Sequence, residues 1–522
     1  MSNNNNVLHK MFLDSWLMAF GISAPQIEVN HIHADDRDVE QGDVFISLSE
    51  KPTEALQHIQ RAIEKGAIAV LADAKYANQY IALTSEHSVA LISAPNLRQV
   101  LPQLVSRFYS DVNALDPTII GVTGTNGKTT TSQFIAQLST LYGLTAGVIG
   151  TNGVGVPPNL LKIRNTTPGI VELYRHFDRL IKKDNVDVIS MEVSSHGLVQ
   201  ERVAGVRFAA SVITNITQDH LDYHETMEAY EAAKLRLFSD NYSQAAVVNY
   251  SDPRLKAWVD DGKISQHLII VARQGEYDPK TSGKPYQYLL YRLIGSTPRG
   301  AKFTLESSWG SREIELPIFG EFNVQNFLLA TGALLHCYLP FGPLVAQATR
   351  LKPIPGRVES FSFLGGKATA IVDFAHTPDA LRNVLETLKA HSNAKLTCVF
   401  GCGGNRDASK RPQMGKIANE LADHVIVTSD NPRHEDPVLI IEQICEGMCA
   451  SKESPLPSHV QCIVERQAAI RLAFEQAIEG EIILVAGKGH ETTQIFGDEI
   501  QHYDERQYVA ELAQEFGAGG IE

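Results

Sequence analysis

A glycine-rich loop between an apolar strand and a helix is the feature that most constrains the fold of this chain. Residues 121–130 read GVTGTNGKTT, the apolar segment 118–122 leads into them, and a helical segment begins near Lys128. Backbone N–H groups of such a loop can surround a phosphate, helped by the N-terminal end of the helix. Lys128 would reach the β- and γ-phosphates, and the Thr129 hydroxyl would bind Mg²⁺. The loop therefore predicts a nucleoside triphosphate site and leaves the reaction open.

The loop departs from the strict pattern G-x4-G-K-[ST], because Val122 stands where the first glycine belongs. It is thus a variant of the phosphate loop, and the alternative is a strand–helix turn that binds no ligand. We favour the phosphate site, since Gly-Lys-Thr-Thr after a buried strand has few other uses.

The last third of the chain alternates apolar strands with helical stretches. Its four strand segments each run into a loop rich in glycine or charge, which predicts right-handed βαβ units and a mostly parallel sheet. Ligands bind beyond the carboxyl ends of such strands, where these four loops would cluster. The segments are residues 368–372, 396–400, 425–428 and 482–485.

The chain of 522 residues is too long for a single hydrophobic core. An Asp-Pro pair at 116–117 and a proline-marked linker, KPIPG at 352–356, separate three zones. We predict an α/β protein of three domains. They are an N-terminal α/β domain at 1–113, a central domain with a P-loop ATPase-type parallel sheet at 114–353, and a C-terminal Rossmann-like domain at 354–522.

The formal net charge of -14 argues against non-specific nucleic-acid binding, although a basic local site could still hold an anion. The sequence contains no run of about 18 apolar residues. The N-terminal segment lacks a basic region and a small-residue cleavage site. We therefore expect no nucleic-acid partner, no membrane insertion and a cytoplasmic location.

The cysteines predict free thiols in preference to a metal site. Cys445 and Cys449 have the i, i+4 spacing of a helix face, whereas Cys398 and Cys402, also four apart, fall at the end of a strand segment. Buried free thiols are the simpler interpretation. The six are Cys337, Cys398, Cys402, Cys445, Cys449 and Cys462.

The loop GTNGKTT resembles the ATP loop of the Mur ligases, the ATP-dependent amide-bond enzymes of peptidoglycan precursor synthesis. Further stretches resemble the same family in the same order, from about residue 116 to the end. They are NTT at 165–167, MEVSSHGL at 191–198, TNITQDHLDYH at 214–224, EAAKLRLF at 231–238, GEFNVQN at 320–326, GRVE at 356–359, DFAHTPDAL at 373–381, GCGGNRDASKRP at 401–412, DNPR at 430–433 and GKGHE at 487–491.

The resemblance is most specific to the member that adds the third residue of the stem peptide. It implies ATP-dependent addition of meso-2,6-diaminopimelate to UDP-N-acetylmuramoyl-L-alanyl-D-glutamate through an acyl phosphate, by an enzyme expected to be a monomer. It also implies a set of nucleotide-binding residues, although helix capping is an alternative role for Asn323. The ATP set is Gly124, Thr125, Asn126, Gly127, Lys128, Thr129, Thr130, Asn323, Asn326, Arg357 and Asp373.

Four residues are predicted to carry catalysis or hold Mg²⁺ together with Thr129. Glu192 ends an apolar run, and a carboxylate at a strand end beside a phosphate loop is a plausible Mg²⁺ ligand. Alone, His220 reads as a packed histidine and Lys234 as a solvated helix lysine. The resemblance implies instead that His220 binds a second Mg²⁺ and that CO₂ converts Lys234 to a carbamate, whose oxygens would bind that ion. Lys128 completes the catalytic set.

Residues that hold the UDP-muramoyl dipeptide are implied in the same way. The guanidinium of Arg202 suits a carboxylate, whereas Asn-Thr-Thr-Pro is also ordinary turn composition. In the first domain Asp36 replaces the usual serine of the uridine segment, and KPTEALQH at 51–58 replaces the usual Asp-Gly-His/Arg. The dipeptide set is Asp36, Asn165, Thr166, Thr167, Ser194, Gln200 and Arg202.

The third substrate is expected at the strand-end loops of the last domain. Arginine at the fourth position of DNPR is the mark of meso-diaminopimelate in the family, because this amino acid differs from lysine by one carboxylate. An arginine pair would bind that carboxylate, and Asp430 or Glu491 the distal ammonium. The predicted set is Arg406, Asp430, Asn431, Pro432, Arg433, Gly487 and Glu491.

Three alternatives stay open from the sequence. The nearest is a ligase of the same fold that uses L-lysine or a folate polyglutamate chain as acceptor. The second is a regulatory protein that uses ATP as a switch, which leaves DNPR and GKGHE unexplained. A dehydrogenase is the third and weakest, because the loop at 401–404 is not a full dinucleotide fingerprint.

Overall fold

The computed structural model shows three α/β units, each built on its own sheet. The structure describes residues 11–110, 115, 117–239, 242–280, 283, 286–297, 300–391, 394–449 and 454–517. The predicted α/β class is confirmed. The predicted boundary between residues 113 and 114 lies outside the described residues. The boundary between residues 353 and 354 falls where the chain has no regular structure and stays a prediction.

The first unit is a small parallel sheet covered by helices. Its strands are β1 (Met11–Phe12), β2 (Glu28–Val29), β3 (Ile32–His33), β4 (Val44–Ser47), β5 (Ala69–Asp73) and β6 (Ala90–Ala94). β1 and β2 form a short antiparallel pair, and the order β3-β4-β5-β6 is parallel throughout. The helices are Leu13–Met18, Pro52–Glu64, Ala74–Ala77, Ile81–Glu86 and Leu97–Phe108, with 3₁₀ turns at Asp36–Asp38 and Asn78–Tyr80.

The central unit contains a sheet of eleven strands among the described residues. Its strands are β7 (Thr118–Thr123), β8 (Ala146–Gly150), β9 (Gly153–Val156), β10 (Asn159–Leu161), β11 (Val188–Glu192), β12 (Ala210–Ile213), β13 (Ala245–Asn249), β14 (His267–Arg273), β15 (Gln287–Thr297), β16 (Gly300–Ser307) and β17 (Gly310–Leu316). The order is β10-β9-β8-β11-β7-β12-β13-β14-β15-β16-β17, and the run from β8 to β15 is parallel. β7 therefore lies inside the sheet, beside β11.

Helices pack on both faces of the central sheet and bury its apolar strands. The long helices Lys128–Tyr142 and Glu321–His336 share one core, which explains why both are apolar along much of their length. The helices are Lys128–Tyr142, Ile170–Asp178, Ser195–Val199, Leu221–His224, Met227–Leu235, Pro253–Asp260, Glu321–His336 and Phe341–Val345, with 3₁₀ turns at Arg236–Phe238 and Ala348–Arg350 and a π turn at Arg179–Lys183.

The third unit is a mostly parallel sheet that confirms the βαβ prediction. Its strands are β18 (Glu359–Phe363), β19 (Ala368–Asp373), β20 (Leu396–Phe400), β21 (His424–Val427), β22 (Val460–Cys462), β23 (Ile482–Ala486), β24 (Thr493–Phe496) and β25 (Glu499–His502). The order β18-β19-β23-β20-β21-β22 is parallel except for β18, and β24 and β25 form a separate hairpin. The helices are Pro378–His391, Lys410–Leu421, Pro437–Glu446, Arg466–Gln476 and Glu505–Gly517, with a 3₁₀ turn at Leu364–Gly366.

Among the described residues, no helix is long and apolar enough to cross a membrane.

Candidate active site

A cavity of about 460 Å³ lies between the central and third units, at the carboxyl ends of their parallel strands. Parallel sheets place ligand sites at this edge, because the loops that follow the strands meet there. The cavity brings together seventeen of the residues predicted from the sequence. They are Thr125, Asn126, Gly127, Lys128, Thr129, Thr166, Glu192, Ser194, His220, Lys234, Arg357, Arg406, Asp430, Asn431, Arg433, Gly487 and Glu491.

The phosphate loop turns sharply from β7 into the helix Lys128–Tyr142. Gly124 has φ +137°, and a Cβ there would overlap the Thr214 side chain, so glycine is required. The Lys128 ammonium donates to the carbonyls of Gly124 and Thr125 at 2.9 and 2.8 Å. Burial lowers the pKa of Lys128, against the opposing effect of nearby carboxylates. The loop thus holds its lysine where triphosphate oxygens would replace these carbonyls.

Glu192 ends β11 directly beside this loop, because its register partner on β7 is Val122. Its carboxylate is 1% exposed and accepts hydrogen bonds from the Thr129 hydroxyl at 3.1 Å and from the Thr151 N–H and hydroxyl at 2.9 and 3.0 Å. A carboxylate beside a hydroxyl is the oxygen donor set that suits Mg²⁺. The sequence analysis missed Thr151, because a single threonine after a strand carries no signal.

Lys234 is a buried amine, not the solvated helix lysine that its sequence context suggests. Only 1% of it is exposed; its Nζ donates to the Gly124 carbonyl at 2.8 Å and lies 4.6 Å from the centroid of the Tyr230 ring. Among the described residues it forms no ion pair. Burial, together with Lys128, lowers the pKa of Lys234 well below its usual range. A neutral amine therefore points into the cavity beside the phosphate loop.

His220 lies beside this amine in a strained loop. Its φ is +55°, a region that non-glycine residues rarely adopt outside functional sites. Burial lowers its pKa to about 3, although Asp219 at 3.4 Å opposes the shift. The neutral ring has a free nitrogen lone pair that can bind a metal. Asp219, its neighbour, was not predicted from the sequence. The described residues contain no group of three or more His, Cys, Asp or Glu side chains arranged around one metal position.

A second, smaller cavity of about 90 Å³ continues from the phosphate loop and is lined by amide side chains. Asn326 donates to Asn323 at 3.2 Å, and Asn323 donates to the Phe319 carbonyl at 2.8 Å. Gly320 is the helix N-cap, so Asn323 has no capping role. The predicted residues that line this cavity are Asn126, Gly127, Thr130, Asn323, Asn326, Arg357 and Asp373.

The central and third units are closed on one another around these cavities. Arg357, from the linker, donates to the Thr129 hydroxyl at 3.1 Å and stacks 4.4 Å over the Phe374 ring. Asn126 of the phosphate loop donates to Asp379 at 3.3 Å. On the other side Lys162 donates to the Thr492 hydroxyl at 2.7 Å. The third unit therefore contacts the phosphate loop directly.

The loop DNPR presents a guanidinium to the cavity from the end of β21. Arg433 has φ +53°, and its Nη1 donates to the Gly404 carbonyl at 2.9 Å. The backbone N–H of Arg433 donates to the Ile495 carbonyl of β24 at 3.0 Å, so the hairpin holds the backbone of this residue. Arg406 lines the same cavity. Two guanidinium groups thus face one space. Pro432 lies in the turn directly before Arg433.

Carboxylates balance this positive charge. Asn431 donates to Glu491 at 2.9 Å, and the buried Lys488 donates to both Asn431 and Glu491 at 3.0 Å. Burial raises the pKa of Asp430, but the positive charges of Lys488 and Arg466 lower it by more together. The net shift is therefore downward. Lys488 was missed, because a lysine inside GKGHE reads as a surface residue.

The charged residues that follow Arg433 have structural roles. Glu435 accepts from the buried Arg411 at 2.8 and 3.0 Å, and Arg411 also donates to the Gly403 carbonyl at 3.1 Å. Asp436 caps the helix Pro437–Glu446 through the Val438 N–H at 2.8 Å. The ion pair between Arg411 and Glu435 therefore fixes the two loops that carry the guanidinium groups.

The residues predicted for the dipeptide form a connected strip. The Thr167 hydroxyl accepts from the Ser194 N–H at 2.9 Å, and Arg202 donates to the Thr167 carbonyl at 2.7 Å. Arg202 also donates to Gln200 at 2.6 and 3.0 Å. These partners are neutral acceptors, so they leave the Arg202 charge uncompensated. Asn165 is exposed at the edge of this strip.

Asp36 lies apart from the main cavity, on a cavity of about 680 Å³ in the first unit. Segment 51–58 opens the helix Pro52–Glu64, which brings His58 and Arg61 to the Asp36 carboxylate at 2.5 and 2.6 Å. The Asp36 carboxylate is therefore paired with His58, which lies in the altered segment, and with Arg61, which follows that segment. Arg164 links this unit to the main cavity, since it lines that cavity and donates to Asp35 at 2.5 Å.

The cysteine prediction needs one correction. Cys398, Cys402 and Cys445 are buried and all six thiols are free, but Cys462 is exposed. It stands at the end of the short edge strand β22, where one face is open to solvent.

The fold and the site together define a class: an α/β enzyme of three domains whose third domain closes a charged cavity over a phosphate loop. Comparison with known proteins agrees. Residues 122–334 match the Mur ligase middle domain, and residues 356–489 match the glutamate ligase domain of Mur ligases. The chain belongs to the Mur ligase family, whose members are ATP-dependent amide-forming ligases.

Solved structures match between about three quarters and nearly all of the chain. A UDP-N-acetylmuramoyl-L-alanyl-D-glutamate–2,6-diaminopimelate ligase is 32% identical, over 97% of this chain and 99% of that one, with a TM-score of 0.63. MurF from Acinetobacter baumannii shares the fold at 18% identity and a TM-score of 0.67, over 92% and 96%. A folylpolyglutamate synthase/dihydrofolate synthase with Mn, AMPPNP and L-glutamate bound shares it at 19% identity and a TM-score of 0.55, over 74% and 90%.

Proposed function

We propose that this protein joins meso-2,6-diaminopimelate to UDP-N-acetylmuramoyl-L-alanyl-D-glutamate at the expense of ATP. The observation that carries the proposal is the pair Arg406 and Arg433 on the acceptor side of the cavity that the phosphate loop lines. The similarity to a diaminopimelate ligase at 32% identity supports the same acceptor. The free cysteines are typical of a reducing compartment, so we place the enzyme in the cytoplasm.

The first step transfers the γ-phosphoryl group of ATP to the glutamate side-chain carboxylate. A carboxylate oxygen attacks the γ-phosphorus, the bond to the ADP oxygen breaks, and an acyl phosphate forms. Lys128 neutralises the triphosphate, while Arg202 holds the dipeptide carboxylate in line. Mg²⁺, held by Thr129 and Glu192, would supply further charge neutralisation. No protein side chain has to act as a covalent nucleophile.

The second step forms the amide. The neutral amine of the acceptor attacks the acyl carbon, the carbon–oxygen bond to phosphate breaks, and the amine loses a proton. Arg357 and the loops of the third domain close the cavity, so the reactive acyl phosphate meets the amine before it meets water. The chain thus contributes mainly position and charge.

Acceptor choice follows from charge pairing. The distal carboxylate of diaminopimelate can accept from Arg433 and Arg406, and Asp430 or Glu491 can take the distal ammonium. Lysine lacks that carboxylate and would leave the half-buried Arg433 and the exposed Arg406 without it. The loss of such a contact costs on the order of 2–5 kcal/mol, which corresponds to roughly 30- to several-thousand-fold in selectivity.

We also propose that CO₂ converts Lys234 to a carbamate. A neutral amine is the form that attacks CO₂, and burial keeps Lys234 neutral. The nitrogen bonds to the carbon of CO₂, and the amine loses one proton. The carbamate oxygens, together with His220, would then provide an oxygen-rich set for a second Mg²⁺.

The first domain is proposed to hold the uridine diphosphate. The cavity beside Asp36 is lined by Arg37 and Lys65, which can face a diphosphate, while Arg61 and His58 pair with Asp36. Arg164 would connect this site to the ligation centre.

The test is phosphate release by the full chain with the muramoyl dipeptide, ATP and Mg²⁺. Release is expected with meso-diaminopimelate and at least 30-fold less with L-lysine. Equal rates with both would assign a ligase with a different acceptor. Hydrolysis independent of any amino acid would indicate the regulatory alternative.

A further inference from the structure

Two cysteine sulfurs of the third domain are in direct contact. The Sγ atoms of Cys445 and Cys462 are 3.4 Å apart. Cys445 stands near the end of the helix Pro437–Glu446 and Cys462 at the end of the strand β22. A hydrogen bond from the Cys445 thiol lowers the pKa of Cys462, and Cys462 is exposed. The pair therefore combines an accessible, activated sulfur with a partner beside it.

The other cysteines offer no comparable geometry. Cys398 and Cys402 are buried in the core, and burial raises the pKa of both thiols to about 12. Cys402 instead contacts the sulfur of Met414 at 3.7 Å. Cys449 lies one helical turn beyond Cys445 and serves as a natural control.

Both elements that carry the pair are tied to the acceptor loops. Gln443, two residues before Cys445, accepts from Arg411 at 2.6 Å, and Arg411 holds the Gly403 carbonyl. Beyond β22, the Val464 carbonyl accepts from the Ser429 hydroxyl at 2.6 Å, directly before the DNPR loop. A change in the distance between the two elements therefore reaches the loops from both sides.

We propose that Cys445 and Cys462 are a redox modification site, which a hydroperoxide converts to a reversible disulfide that loosens the acceptor loops. The Cys462 thiolate attacks a peroxide oxygen, the O–O bond breaks, and hydroxide leaves as water after it takes a proton. The resulting sulfenic acid is attacked by the Cys445 thiol; the S–S bond forms, the S–O bond breaks, and a second water leaves. Two thiols lose two electrons and two protons, and hydrogen peroxide becomes two waters.

The bond requires the elements to move. A disulfide is about 2.0 Å long, so the sulfurs must approach by about 1.4 Å from their present 3.4 Å. The helix cannot yield freely, because a Cβ on Gly447 or Gly415 would already overlap the backbone of the neighbouring helix. The movement therefore falls mainly on β22, and it reaches the DNPR loop through the contact between Val464 and Ser429. Displacement of a positioning group by about 1 Å costs up to roughly 10²-fold, and we expect a rise on the order of tenfold in the KM for the acceptor.

The modification is tested on the intact chain with hydrogen peroxide, by alkylation and mass spectrometry. Two thiols are expected to become protected from alkylation, a peptide pair that joins Cys445 to Cys462 should appear, and dithiothreitol should reverse both changes. Cys445→Ser and Cys462→Ser should each lose the cross-link, while Cys449→Ser retains it. A cross-link through Cys449, or irreversible oxidation of Cys462 alone, overturns the proposal.

The kinetic consequence rests on the proposed function and is measured on the same samples. Oxidation is expected to raise the KM for meso-diaminopimelate while the KM for ATP stays unchanged, and Cys462→Ser should abolish the effect. A disulfide with no change in either KM overturns the coupling to the acceptor loops. If the reduced enzyme itself shows no release that depends on diaminopimelate, the proposed function fails, and the mass measurement still decides the disulfide.

Discussion

The most unusual reaction proposed for this site is the conversion of the buried Lys234 amine to a carbamate. Replacement of Lys234 by Ala removes the group proposed to carry the carbamate, so kcat should fall about 10²- to 10³-fold, as for the loss of a charge-stabilising group in other active sites. Acetate should partly restore activity, because it can supply carboxylate oxygens in the space that is left. Steady-state phosphate release, with and without acetate, measures both effects.

A matched control is Lys256→Ala, since Lys256 is an exposed lysine on the helix Pro253–Asp260. Its activity should equal that of the wild type. A Lys234→Ala enzyme with full activity would contradict the carbamate proposal, as would the lack of a carbamate signal in ¹³C NMR of the wild type supplied with labelled bicarbonate.

Arg433 is the residue on which acceptor choice is proposed to depend. Arg433→Ala should raise the KM for meso-diaminopimelate roughly 30-fold or more and leave the KM for ATP nearly unchanged, because the guanidinium faces the acceptor and not the nucleotide. Titration of each substrate in the phosphate-release assay separates the two constants. His434→Ala is the control, since His434 is exposed and its side chain pairs with an exposed Asp498 at 3.5 Å. Parallel rises in both constants would point to a loop that has lost its shape instead.

At the residue scale, the sequence was informative where a residue type and its position at a strand end coincide. Glu192 could be predicted because it ends an apolar run at the ligand edge of a sheet, whereas the prediction for Arg433 came from the resemblance of DNPR to the family. Thr151, Lys488 and Asp219 could not, because their roles come from contacts with residues far away in the chain. The burial of Lys234 is of the same kind, since the helix pattern alone favours solvent exposure.

At the scale of elements, one buried ion pair joins several strands of the third domain. Arg466 and Glu505 are both fully buried and paired, and Arg466 also donates to the carbonyls of Ser429 and Ala486, where β21 and β23 end. Arg466→Met leaves the Glu505 charge unpaired, so the third domain should lose about 3–5 kcal/mol of unfolding free energy. Its calorimetric transition should move down by roughly 10 °C.

The same helix provides the comparison for this change. Arg471→Met breaks the exposed pair with Glu515, which is expected to contribute little to stability because solvent screens it. The double variant Arg466→Met with Glu505→Gln should recover part of the loss, because the buried charge is then gone. Equal decreases in the transition temperature for Arg466→Met and Arg471→Met would mean that burial of the pair Arg466–Glu505 has no energetic consequence.

Parallel strands were easier to predict than the antiparallel additions at the sheet edges. The strands of the third domain begin and end within about a residue or two of the segments read from the sequence, because fully buried parallel strands are continuous apolar runs. The hairpin β9–β10 has short strands, β16 alternates buried with less buried residues, and neither the hairpin nor the extension β15–β17 was anticipated. The hairpin leads directly to Lys162, which contacts Thr492, and to Arg164, which lines the main cavity.

At the scale of the whole molecule, catalysis is proposed to depend on closure of the third domain over the phosphate loop. Arg357 makes the contact from the linker itself, so Arg357→Ala should lower kcat on the order of 10²-fold through loss of positioning. The variant should also fail to compact when AMPPNP and Mg²⁺ are added. Small-angle X-ray scattering of both proteins, with and without nucleotide, measures this as the radius of gyration.

Arg350→Ala tests whether any arginine near the linker would behave in this way. Arg350 is exposed and donates to Gln347, one helical turn away, so its loss should leave both kcat and compaction unchanged. Normal compaction of Arg357→Ala with a low kcat would assign Arg357 to the chemistry of phosphoryl transfer and not to closure. Normal compaction with a normal kcat would show that Arg357 contributes neither to closure nor to phosphoryl transfer. Closure would then depend on the contacts of Asn126 with Thr377 and Asp379.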